Sequence, residues 1–218
     1  MSAPVTLMVI AKSPRPGRVK TRLCPPMSPE EAAAIAEAAL ADTLEVIGAV
    51  RARRHVLFLE GPVGPWLPPG FDVLPQSGGA LDERLTNAFA AVDGPGFLVG
   101  MDTPQLTTGH ISNAVDTLLD GAVDAVLGPA TDGGWWGIGM RAPDPAVFFG
   151  VEMSTAHTCK QQRARLASLG LHTEMLDELR DVDDFDDALA VAALAPSSRF
   201  ARTLSAVTTA RSTRAMST

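Results

Sequence analysis

The sequence predicts a single α/β domain with a mostly parallel central sheet and helices on both faces. Short apolar runs alternate with helical patterns almost from end to end, beginning with Val5-Thr6-Leu7-Met8-Val9-Ile10. Continuous apolar strands of this kind are those covered on both faces, and strand–helix alternation is the pattern of a parallel sheet. A length of 218 residues, 46% of them hydrophobic, suits one domain with a large core.

Taken in order, the first run is a strand followed by a polar, Pro- and Gly-bearing loop from Lys12 to Pro26. Ser28-Pro29-Glu30-Glu31 then offers a capping box, with Ser28 as N-cap and Glu31 three residues on. Behind it Ala32, Ile35, Ala36, Ala39, Leu40, Thr43, Leu44 and Ile47 repeat at helical spacing. His55 to Leu59 is the next strand, Gly61 to Gly70 a loop, Phe71 to Leu74 a short strand and Leu81 to Val92 a helix. Gly96 to Gly100 reads as a central strand running into Met101-Asp102-Thr103-Pro104, before a helix capped near Thr107 or Thr108 and closed by Gly121. Val123 to Leu127 and Trp135 to Met140 are strands, and a helix runs from about Thr155 to Leu169. A strand over Leu171 to Leu176 and a helix over Asp184 to Leu194 complete the domain at about residue 200. Residues 201–218, rich in Ser, Thr and Ala, are expected to form a flexible C-terminal tail.

Composition excludes several classes. A formal charge of −7 argues against nucleic-acid binding, which draws most of its affinity from a basic face. The two cysteines, Cys24 and Cys159, are too far apart for a metal-ligand spacing and are read as reduced thiols. The first apolar run is too short to span a bilayer and has no basic residue before it, so neither a membrane span nor a signal peptide is expected, and the protein is placed in the cytoplasm.

In a parallel sheet, ligands sit beyond the carboxyl ends of the strands, so four loops carry the interest. The first, Ala11 to Leu23, packs Lys12, Arg15, Arg18, Lys20 and Arg22 into an otherwise acidic chain. Pro and Gly fix such a path while cations and amides face phosphate oxygens, although charge alone fits a solvated basic loop equally well. The second loop ends the central strand at Asp102, a carboxylate suited to a hard ion that also bridges phosphates, or simply to a turn. In the third, Asp132-Gly133-Gly134 precedes Trp135 and Trp136, which must point opposite ways in a strand, so at least one belongs to the core. The fourth, Asp181-Val182-Asp183-Asp184, is partly a helix start, with Asp183 the preferred candidate for a second metal ligand.

As an ordered set, these stretches resemble the bacterial glycosyltransferase-like proteins of the glycosyltransferase-A (nucleotide-diphospho-sugar transferase) fold, the group that includes arsenosugar-biosynthesis transferases. More distantly they are similar to the guanylyltransferases of molybdenum-cofactor and coenzyme F420 biosynthesis. The matching stretches are Ala11-Lys12 through Gly17, Val19 to Leu23, Gln76-Ser77-Gly78 through Arg84-Leu85, Gly100 to Leu106, Gly128 through Gly139, Ser154-Thr155 and Asp181 to Asp183. The resemblance implies a Rossmann-like transferase in which Ala11, Lys12 and Gly17 hold the nucleotide, with Lys20 and Arg22 near its phosphates. Gln76 and Gly78 would lie at the base, Arg84 would also bind the nucleotide, Asp102 and Asp183 would hold Mg2+ or Mn2+, and Asp132, Gly133 and Gly134 would face the acceptor or sugar. Lys20, Asp102 and Asp132 are the implied catalytic residues. Three positions depart from the usual pattern: Trp135 stands for Tyr, Met153 for Trp and Thr103 for Cys.

The implied chemistry is glycosyl transfer from a nucleotide-diphosphate sugar to a small-molecule acceptor. Two alternatives remain open at this point, nucleotidyl transfer from an NTP with release of pyrophosphate, and non-catalytic nucleotide binding. The sequence leaves the base, sugar, acceptor and oligomeric state undetermined.

Overall fold

A computed structural model describes residues 5–215 and shows a seven-stranded sheet in the order β3-β2-β1-β4-β6-β5-β7. The strands are β1 (Thr6–Lys12), β2 (Arg54–Glu60), β3 (Asp72–Pro75), β4 (Gly96–Val99), β5 (Ala125–Pro129), β6 (Trp135–Met140) and β7 (Thr173–Met175). Six α-helices accompany them: α1 (Pro29–Ala49), α2 (Leu81–Ala90), α3 (Thr108–Leu119), α4 (Thr158–Ser168), α5 (Phe185–Leu194) and α6 (Arg199–Ala215). Only β6 runs against the others, pairing antiparallel with both β4 and β5. The mostly parallel α/β fold expected from the sequence is therefore observed, with β1 flanked by β2 and β4. A crevice at the carboxyl end of β1 follows from that topology, because the chain departs from β1 in both directions across the sheet.

Alternation along β1 divides the core. Leu7, Val9 and Ala11 face one cluster with Ala36, Leu40 and Leu44 of α1 and Ile111, Ala114 and Leu118 of α3. Met8 faces the opposite cluster, with Leu85 and Phe89 of α2, Phe148, and Leu166 of α4. Antiparallel β6 fits between β4 and β5 because its glycines leave room. A Cβ on Gly137 would lie 2.8 Å from the Phe97 ring, and one on Gly139 would crowd Val126 and Phe97 alike.

Local chemistry accounts for the helix ends. The Ser28 capping box forms as expected, with Glu31 N donating to Ser28 Oγ at 3.2 Å and Ser28 N donating to Glu31 Oε2 at 2.8 Å. Thr107 caps α3, and Gly121 and Gly170 take positive φ just after α3 and α4. Several expected boundaries shift. Lys12 still belongs to β1, a short 3-10 turn forms at Thr21–Leu23 inside the expected loop, and α4 begins at Thr158 rather than Thr155. The ends of β5 and β7 also retreat, to Ala125 and to Thr173–Met175.

The C-terminal expectation is corrected. Residues 201–215 continue a helix that starts at Arg199, so the anticipated boundary at residue 200 falls inside α6; residues 216–218 lie outside the described residues. Phe200, Leu204 and Val207 form an apolar stripe at helical spacing, and the first two are buried against Ile35 and Ala39 of α1 and Val191 of α5. Asp42 on α1 accepts from the backbone amides of Arg199 at 3.1 Å and Phe200 at 2.8 Å, which supplies partners for the start of α6. The Ser/Thr-rich composition hid a stripe of three apolar residues.

Candidate functional site

The loops at the carboxyl edge of the sheet converge on a cleft of about 450 Å³. Of the residues singled out in the sequence, Ala11, Lys12, Gln76, Arg84, Asp102, Asp132 and Gly134 line it. A side pocket of about 260 Å³ shares Lys12 and Asp102 with the cleft and adds Lys20, Arg22 and Asp183. Gly17, Gly78 and Gly133 line neither; each takes positive φ and turns a loop. At Gly133 the turn is also a close approach, since a Cβ there would sit 2.1 Å from the Ala156 carbonyl oxygen. Cys159 N donates to Gly133 O at 2.8 Å, so the loop after β5 is clasped to the start of α4.

The side pocket is built on a backbone hydrogen bond. Val182 N donates to Asp102 O at 2.8 Å, which holds the segment before α5 against the tip of β4. Lys20 reaches into this junction, donating to Val182 O and pairing with the Asp102 carboxylate, and its side chain is only 8% exposed. Arg22, at the surface, pairs with Asp183. Two cations from one loop and two carboxylates from two others thus form one cluster. Lys12 completes the edge beside it, 3.9 Å from Glu60.

The expected base-reading side is more internally bonded than the sequence suggests. Gln76 Nε2 donates to Ala11 O at 2.7 Å and to Phe58 O at 3.2 Å, and its Oε1 accepts from Arg84 at 3.2 Å. Arg84 also pairs with Glu60, whose carboxyl is held below the usual range chiefly by that hydrogen bond, opposed by partial burial and assisted by the charge of Lys12. Gln76 and Arg84 therefore fix the ends of β1 and β2. Glu60 was not singled out in the sequence, where its one signal is its position just after the strand His55 to Leu59.

On the opposite wall, Asp132 accepts from Gly134 N at 2.7 Å, a turn that holds its carboxylate at the cleft. The two tryptophans do point opposite ways. Trp136 is buried, with its ring edge-on to Phe97 and its Nε1 donating to Asp177 O at 3.0 Å. Trp135 lines the cleft with Met153, Ser154 and Thr155.

Asp181 also lines the cleft, although the sequence singles out Asp183 of the pair. Both flank buried Val182, an alternation that places one carboxylate in each pocket. Burial pushes the Asp181 carboxyl up to about 6, reinforced by the negative charge of Asp132 and partly offset by Lys20. A carboxyl whose folded pKa exceeds its unfolded value loses stability for the protein as pH rises from about 4 to above 6. Asp181→Asn is therefore expected to raise stability at pH 8 by about 1–2 kcal/mol, after allowance for its partial exposure, and to leave it unchanged at pH 4. Urea unfolding at the two pH values checks this; an equal shift at both would show that ionisation of Asp181 is not the cause.

No group of three or more His, Cys, Asp and Glu side chains comes together to hold an ion among the described residues. Asp102 and Asp183 nonetheless fit a hard divalent cation of the kind that takes one or two carboxylates and completes its shell with phosphate and water. Cys159 shows no activation, since burial raises its thiol. No helix among the described residues is long and apolar enough to cross a membrane.

Comparison with known proteins places this geometry. The DUF2064 family, described as an uncharacterized protein conserved in bacteria, matches residues 32–155, and the chain belongs to it. A crystal structure from Desulfovibrio desulfuricans, provisionally named a nucleotide-diphospho-sugar transferase, is 26% identical, with a TM-score of 0.82 over 94% of each chain. The CMP:2-keto-3-deoxy-manno-octonic acid synthetase, solved with CTP, shares the fold at 11% identity and a TM-score of 0.59, over 88% of this chain and 98% of that one. So does the 2-C-methyl-D-erythritol 4-phosphate cytidylyltransferase of Thermus thermophilus, at 15% identity and 0.52, over 90% of this chain and all of the other. No protein of curated function matches the sequence. The chain thus carries the nucleotide-diphospho-sugar transferase fold that the sequence motifs resemble.

Proposed function

We propose that this DUF2064 member is a metal-dependent transferase that moves a glycosyl group from a nucleotide-diphosphate sugar to a small acceptor. The observation that carries the reading is the meeting of Lys12, Lys20 and Arg22 with Asp102 and Asp183 at the carboxyl ends of β1 and β4, beside an open cleft. Likeness to the Desulfovibrio protein over nearly the whole of both chains supports it.

In this reading the nucleoside lies along Ala11 and the wall formed by Gln76, Leu81, Arg84 and Leu85. The wall is rigid because Gln76 and Arg84 are already bonded within the protein, so binding need not order them. Lys12, Lys20 and Arg22 face the diphosphate and neutralise charge that grows as the glycosyl bond breaks. A divalent ion held by Asp102 and Asp183 would supply Lewis-acid stabilisation of the same leaving group. Asp132, across the cleft, orients the acceptor hydroxyl, with Trp135 and Met153 forming the apolar side of the acceptor subsite.

Nucleotidyl transfer from an NTP is the second reading, favoured by one feature. Arg15 and Arg18 form no salt bridge among the described residues, which leaves cationic capacity beyond what a diphosphate uses. Product analysis separates the two. With Mg2+ or Mn2+ and a panel of donors and acceptors, nucleoside diphosphate release from a sugar donor is expected. Metal-dependent pyrophosphate release from a triphosphate would transfer the assignment to the second reading, and tight nucleotide binding without turnover of any donor would make the protein a nucleotide-binding one.

A further inference from the structure

We propose that Lys20 and Arg22 close the two carboxylates to a divalent ion until a polyphosphate takes over their charges, so that metal and nucleotide enter the site together. The inference rests on the assignment of Asp102 and Asp183 as metal carboxylates and adds how access to them is controlled.

Each carboxylate already carries a cation. The Lys20 ammonium is shared between the Asp102 carboxylate and Val182 O, in a side chain 8% exposed, while Arg22 covers Asp183. Asp102 and Val182 do not need Lys20 to stay together, because their backbones are joined by the Val182 N to Asp102 O bond. The ammonium can therefore leave without dismantling the junction. Lys20 lies in the left-handed region at φ 48°, ahead of the 3-10 turn that carries Arg22, so one short segment presents both cations.

Charge balance makes the two ligands interdependent. Two cations against two carboxylates form a neutral cluster. A divalent ion arriving alone meets two cations at contact range, and a polyphosphate arriving alone, although drawn by Arg18 on the same pocket wall, finds Lys20 and Arg22 already held by two carboxylates. When both arrive, the cations pair with phosphate oxygens and the carboxylates with the metal, and every charge keeps an opposite neighbour. The flexible lysine stem permits the exchange, and the side pocket that holds Lys20, Arg22 and Asp183 opens onto Lys12 and Asp102 of the main cleft.

The test is retention of Mn2+ by the full chain in equilibrium dialysis, with folding of each variant checked by a circular-dichroism melt. Without nucleotide, Lys20→Met is expected to bind Mn2+ at least about tenfold more tightly than the unaltered protein, and Arg22→Ala about threefold more tightly. Lys20→Arg, which keeps the charge, should match the unaltered protein. Adding a nucleoside diphosphate should raise Mn2+ retention in the unaltered protein and do so less in Lys20→Met. Arg22 is exposed, so Arg22→Ala decides the matter if Lys20→Met does not fold. If neither variant exceeds the unaltered protein while the diphosphate still brings Mn2+ into it, the interlock is wrong and the metal assignment stands. If no form retains Mn2+ under either condition, the metal assignment itself fails and the interlock with it.

Discussion

Asp102→Ala is expected to abolish metal-dependent nucleotide binding. Among the described residues, Lys12, Met101 and Asp102 line both the main cleft and the side pocket, and Asp102 is the carboxylate of the three, just beyond the tip of β4. Met101 offers a soft thioether, so the carboxylate is the hard donor at that point. Its removal also leaves Lys20, nearly buried, with Val182 O alone. The ammonium then becomes an unbalanced cation beside the metal position, which opposes a divalent ion further. Together these effects should weaken metal-dependent binding of a nucleoside diphosphate by roughly 100-fold or more, about 2.7 kcal/mol. Calorimetric titration with and without Mg2+ checks this, and metal-dependent affinity equal to that of the unaltered protein would remove Asp102 from the metal site.

The second large effect concerns stability. Phe200→Ala is expected to cost about 3–5 kcal/mol, the range for emptying an aromatic site in a packed core. Phe200 is fully buried in a cluster that joins α1, α5 and α6. The same cluster contains Leu23, at the end of the basic loop that follows β1, and Val182, whose carbonyl oxygen accepts from Lys20. Loss of Phe200 therefore loosens the support on which Lys20 and Asp183 rest, and nucleotide affinity should fall together with stability. Urea unfolding measures the first effect. A change below about 1 kcal/mol would mean that α6 is not an integral layer of the domain.

How far these features could be read in advance depended on the range of the interactions involved. Strand β1 and helix α1 were evident because a continuous apolar run and a capping box are local signals. Helix α6 was missed although α1 gave notice of it. Ile35, Ala32 and Ala39 face away from the sheet-side residues Ala36, Leu40 and Leu44, and a helix apolar on two sides needs a second partner. The antiparallel pairing of β6 with β5 does have a local signature, the Asp-Gly-Gly connection over 130–134 that is too short for a crossover, whereas its place beside β4 depends on Gly137 and Gly139, which make room for rings and methyls of other strands.

Within the site, the loops and their carboxylates were legible because strand ends in a parallel sheet collect ligands. Pairings were not. Lys20 and Asp102 come from different loops, and so do Arg22 and Asp183, so nothing local to either partner announces the contact. The elevated pKa of Asp181 is likewise a product of burial and of Asp132 nearby. Gln76 shows the opposite case: its place at the cleft was anticipated, whereas its bonds to Ala11 and Phe58 depend on the sheet register.

The proposed function requires the cleft to bind a nucleotide together with a divalent ion. Thermal shift with a panel of nucleoside di- and triphosphates, with and without Mg2+ or Mn2+, tests it most directly. A ligand at 100 times its dissociation constant adds about 2.7 kcal/mol, a rise of roughly 5–10 °C for a domain of this size. Such a rise is expected for nucleoside diphosphates only when metal is present, and is expected to be lost in Asp102→Ala. The same melting temperature with every nucleotide, metal or no metal, would contradict it.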